Sequence, residues 1–172
     1  MNDRHLSKES TIYHYRLLQR IHHKPAVLYS YWALLLILLA WDIIQWNPWP
    51  FAAAWLIVPV LHLTITYFSL RTMDGKSPKG WGWAFELPWF GYRPNSYISL
   101  EKLLKVHMQL LFITLVIVGC LFPWLSLNAL GHLVFIHLWL IFPRFVILLK
   151  LHKHLHTGYV KINEADTSCY AQ

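Results

Sequence analysis

Charged side chains are scarce in this chain. Asp, Glu, Lys and Arg make up 13% of its 172 residues, about half the share of a soluble domain. That shortage argues against a surface wetted all round. Cysteine is sparse as well. Cys120 and Cys169 lie in an apolar run and in the polar tail. They form no CxxC pair and no disulfide framework, so both are expected to be free thiols. Gly131 stands alone in its apolar run, which removes GxxxG packing. GxSxG, Walker A and HExxH sequences are absent too. The sequence therefore assigns no catalytic residue and does not decide whether the chain is an enzyme.

Apolar residues are abundant: 56% of the chain, with ten tryptophans and a mean hydropathy of +0.38. They fall into four long blocks, at 27–46, 51–70, 106–124 and 130–149. A helix of that length spans roughly 30 Å, the thickness of bilayer hydrocarbon. Four such blocks in succession predict an all-α integral membrane protein, a four-helix bundle of two hairpins. The net charge of +7 does not predict nucleic-acid binding, because it is parcelled between apolar blocks rather than gathered in one patch.

The connections set an orientation. "NPWP" (47–50) and "LSLNA" (125–129) contain no Lys or Arg. Arg4, Lys8, Arg16, Arg20 and Lys24 precede the first block. Arg71, Lys76, Lys79, Arg93, Lys102 and Lys105 lie between the second and third, and Lys150, Lys153 and Lys161 follow the fourth. Positive residues favour the cytoplasmic side. The expected organisation is a cytoplasmic basic N-terminal segment (1–26), a transmembrane hairpin (27–70), a cytoplasmic aromatic loop (71–105), a second hairpin (106–149) and a cytoplasmic His/Lys tail (150–172). The stretch 1–25 is too polar for a signal-peptide core and is expected to stay on the chain. The location that follows is a cell membrane, by size a bacterial inner one. "PW" precedes His62 and His137 at equal spacing in the two hairpins; shared membrane composition is the plainer reading of this than duplication.

"GWGWAFELPWFGY", at 80–92, is too short to span and too aromatic for disorder. Trp81, Trp83, Phe85, Trp89, Phe90 and Tyr92, with Arg93 beside them, suit the headgroup region. An in-plane interfacial segment is expected, with a partner-binding surface or a re-entrant loop as alternatives. The stretch 10–24 is amphipathic: Ile12, Leu17, Leu18 and Ile21 share a broad face on a helix, predicting a surface helix at the membrane entry.

Ionisable residues inside apolar runs are costly and so are functional candidates. Asp42, His62, His132, His137 and Arg144 are the buried polar set. Either His132 or His137 is level with Asp42. Arg144 is some ten residues deeper and is expected to snorkel to headgroups. Asp42, His62 and His137 could form one titrating site. His62 and His137 could instead ligate a haem or a divalent metal. In the tail, His152 and His156 are four apart and could bind a metal with His154 if the last helix continues; a basic collar is the plainer reading. The leading expectation is a binding or accessory module that engages membrane lipid, a membrane protein partner or a second copy through the aromatic loop. A small transporter or proton-coupled carrier, or a histidine-ligated haem or metal enzyme, is the alternative.

Overall fold

The computed structural model describes residues 16–75 and 80–171. The four apolar blocks form α1 (Pro25–Ile44), α2 (Trp49–Asp74), α3 (Leu100–Cys120) and α4 (Leu127–Leu151). All four are long and apolar enough to cross a membrane. Pro25 and Pro50 sit in the first turns of α1 and α2, where a missing N–H forfeits no helical bond. Gly75 closes α2 in the left-handed conformation, its N–H donating to the Arg71 carbonyl. Ser126 caps α4, its hydroxyl accepting from the Ala129 N–H.

Helix α4 is the central one. Apolar residues run round most of its circumference, as a helix packed on several sides requires, and α1, α2 and α3 surround it. Helix α1 is the loosest. Only Leu35 and Asp42 are fully buried along it, while Ile37, Ile43 and Ile44 stand exposed.

Beyond one end of the bundle the all-α expectation needs correction. Among the described residues are six strands: β1 (Arg16–His22), β2 (Trp81–Ala84), β3 (Gly91–Pro94), β4 (Ile98–Ser99), β5 (Gly158–Ile162) and β6 (Asp166–Ala171). Four of them form an antiparallel sheet in the order β1-β6-β5-β4, and β2 and β3 form a separate hairpin. The sheet packs over the ends of α3 and α4. Ile98, Leu103, Ile147, Leu151, Val160 and Trp89 share its core. Trp89 is 1% exposed and its indole N–H donates to the Thr167 hydroxyl at 2.8 Å.

The surface helix expected over 10–24 is replaced, across its described part, by β1; the stretch 10–15 lies outside the described residues, as do Lys76 and Lys79. The helical spacing has a different origin. The ladder with β6 slips between Leu17 and Gln19, leaving Leu18 as an extra residue. A bulge of this kind shifts side chains to the other face of a strand. It turns Leu18 and Ile21, three apart, toward the same core. The tail also folds: Gly158, Val160 and Ile162 are buried and alternate with half-buried Tyr159 and Lys161, the period-two signature of a strand. The N-terminal strand, the middle segment and the tail are thus joined in one cap, with β1 beside β6.

Candidate functional site

Three ionisable residues of α4 face inward at successive depths. His132, His137 and Arg144 lie about 7, 15 and 25 Å along the helix from Leu127, at the ordinary rise per residue. Each meets a different partner.

At the end far from the cap, His132 Nε2 is 2.8 Å from Asp42 Oδ2 of α1, and its Nδ1 donates to the Asn128 carbonyl at 2.8 Å. With Nδ1 committed as donor, the pair holds a single proton between ring and carboxyl, and it is neutral overall in either form. That is how an acid tolerates an apolar site. Asp42 therefore joins His132, and the expected grouping of Asp42 with His62 and His137 is not what is found.

Midway down, His62 Nε2 of α2 lies 2.8 Å from His137 Nδ1, the rings edge to face. The other ring nitrogen of His137, Nε2, is buried without a hydrogen-bond partner among the described residues. Thr66 and Ser69 continue the same buried face of α2. These imidazoles bond each other directly.

Nearest the cap, Arg144 is 3% exposed and does not snorkel. Its Nη2 donates to the Phe90 carbonyl. Its Nη1 is 3.5 Å from His107 Nε2 of α3. His107 Nδ1 donates to the Leu103 carbonyl at 2.8 Å, so Nε2 is left as the acceptor. The sequence alone does not single out His107 as a partner for Arg144; it lies near the start of α3, and only the packing of α3 on α4 brings the two together.

The Phe90 carbonyl comes from the aromatic segment, which is a β-hairpin whose tip enters the bundle. Leu87 packs with Leu35, Phe51 and Val58. The Phe90 ring meets Trp55 at 5.5 Å and Trp32 at 6.4 Å. Arg144 supplies the donor that this buried, irregular backbone needs. Gly91 makes the approach possible: its φ is +103°, and a Cβ there would stand 3.2 Å from Arg144 Nη2. The other half of the hairpin faces out. Phe85 is 72% exposed and Trp83 40%, with Phe85 beside Pro25 and Tyr29 where α1 begins. The Trp81 and Tyr92 rings meet tilted at 5.6 Å, and Arg93 is half-buried opposite Gly82. The aromatic residues expected to act together are therefore divided between a core and a surface.

The tail histidines are not stacked. Helix α4 ends at Leu151 and His152–His154 form a 3-10 turn, which removes the helical register that would align His152 with His156. No group of three or more His, Cys, Asp or Glu gathers to hold a metal among the described residues.

Within the cap, His23 and Asp166 both depart from their ordinary titration. Burial lowers the pKa of His23, only partly offset by the Glu164 carbonyl and the Asp166 charge; its Nε2 lies 3.0 Å from the Thr167 hydroxyl. Burial opposes ionisation of Asp166, but hydrogen bonds from Asn163 and Ser168 and the Arg20 charge outweigh it and hold the carboxyl below its usual range. Arg20 Nε is 2.8 Å from Asp166. No family model, curated protein or solved structure matches this chain.

Proposed function

We propose that this chain is a multi-pass protein of a cell membrane, by size and charge pattern a bacterial inner membrane. Its four helices cross the bilayer and its cap lies on the cytoplasmic face. It acts as a binding or accessory module that engages lipid or a partner membrane protein through the outer half of the aromatic hairpin. The observation that carries this reading is the division of the hairpin. Leu87, Trp89 and the Phe90 carbonyl anchor it, leaving Trp83 and Phe85 exposed near the start of α1. Rings at that level match the headgroup layer, where an apolar body and a polar tip are both accommodated. The test is a photocrosslinking amino acid placed at Phe85 in native membranes. A phospholipid or protein adduct is expected; recovery of neither contradicts the reading.

A proton-coupled carrier is the second reading, favoured by buried polar atoms without partners: Thr114 Oγ1, Arg144 Nε and His137 Nε2. Such atoms call for water or a ligand. Against it, steps of about 7 and 10 Å along α4 separate its three polar residues, too far for direct proton transfer. Proton flux in vesicles that is lost in His62→Gln would establish it; wild-type vesicles no leakier than empty ones would remove it.

A further inference from the structure

Between α1 and α4, at the cap end, lies an apolar cavity of about 430 Å³, within the roughly 300–1,000 Å³ of small-molecule sites. Its origin is the way α1 is attached. Tyr31–Trp139 and Asp42–His132 hold α1 to α4 at mid-depth and at the far end. From Tyr31 toward the cap the two helices are separated by a gap. Leu28 and Tyr31 line one wall and Pro143 and Val146 the other, with Pro88 of the hairpin tip also lining it. Among the described residues, the charged side chains lining it are basic: Lys24 just before α1 and Lys150 at the end of α4, with His22 and His23 beside them. Lys24 and Lys150 are both exposed, and among the described residues no carboxylate lines the cavity.

We propose that this groove binds one anionic phospholipid, its acyl chain between α1 and α4 and its phosphate between Lys24 and Lys150. This rests on the reading that the helices cross a membrane with the cap on one face. An apolar slot with a rim of one sign matches one class of amphiphile: a long hydrocarbon chain ending in a negative charge. A zwitterionic headgroup would bring its own ammonium against two lysines. Each lysine near a membrane surface is worth roughly 1 kcal/mol with an anionic lipid, about fivefold in affinity.

The test is native mass spectrometry of protein released from vesicles of equal parts phosphatidylglycerol and phosphatidylcholine. Wild type is expected to retain one phosphatidylglycerol in preference to phosphatidylcholine. Val146→Trp fills the slot and should abolish retention. The Lys24→Gln/Lys150→Gln double variant leaves the slot open and should lose the preference at least fivefold. Equal retention of the two lipids by wild type overturns the proposal, and so does an unchanged preference in the double variant. Crosslinking from the probe at Phe85 is measured in parallel in native membranes. If it fails while retention persists, the hairpin reading falls and the groove stands; if retention fails while crosslinking persists, the groove falls alone.

Discussion

The hydroxyl of Tyr31 donates to the carbonyl of Trp139 at 2.6 Å, and the Trp139 indole donates back to the Tyr31 carbonyl at 3.2 Å. Pro143 explains why that carbonyl is free. Proline has no N–H to give the residue four before it, and Trp139 is that residue. Tyr31→Phe removes the substitute donor and keeps the ring stacked at 4.9 Å. It should cost about 1 kcal/mol, read from reversible unfolding in mixed micelles. No change in stability would mean that the carbonyl finds another donor.

Asp42 and His132 form the second attachment of α1. Asp42→Asn and His132→Gln should each destabilise the protein by about 1–3 kcal/mol. A double-mutant cycle should return a coupling of about 1 kcal/mol or more. Additive losses would show that the two side chains do not act as a pair.

Arg144→Leu leaves the Phe90 carbonyl buried without a donor, a cost of about 1–3 kcal/mol. The consequence should be local. Hydrogen exchange across residues 84–92 should accelerate at least tenfold while α2 and α4 remain protected. Uniform acceleration would identify Arg144 as a general packing residue, and unchanged exchange would remove it as the support of the hairpin.

The cap should weaken in acid. His23 has a folded pKa below its unfolded value of about 6.5. Above that pH both states are neutral and its contribution is fully present; as pH falls below it, the unfolded chain takes up a proton that the folded chain resists. Asp166, also lowered, acts in the same direction further down, below about 4. Protection factors in β6, corrected for the intrinsic pH dependence of amide exchange, should therefore be greatest above pH 7 and fall toward pH 5, with His23→Asn flattening that part of the profile. A profile flat in wild type between pH 7 and 5 would contradict the account.

The helices were legible because spanning length and an apolar run are local properties, and each of the four blocks carries both. The cap was not, because its ladder joins Leu17 to Tyr170, and no local pattern reports a partner so distant. In β1 the bulge at Leu18 also imitated helical spacing. The tail offered a signal that could have been read: the alternation of Val160, Lys161 and Ile162 followed by the polar turn "NEAD". Of the polar residues, inward-facing ones were legible from depth and periodicity. Their pairing was not, because which of His132 and His137 meets Asp42 depends on the rotation of α1 about α4. The snorkelling expected of Arg144 failed because a backbone carbonyl reached it from the hairpin, a partner that side-chain reasoning does not count.

The central claim is that four helices cross a bilayer with both chain ends on the cytoplasmic face, and a pair of reporters fused after Gln172 tests it most directly. A green fluorescent protein fusion should fluoresce in intact bacteria, and an alkaline phosphatase fusion should be silent. An active phosphatase with a dark fluorescent fusion would contradict the account.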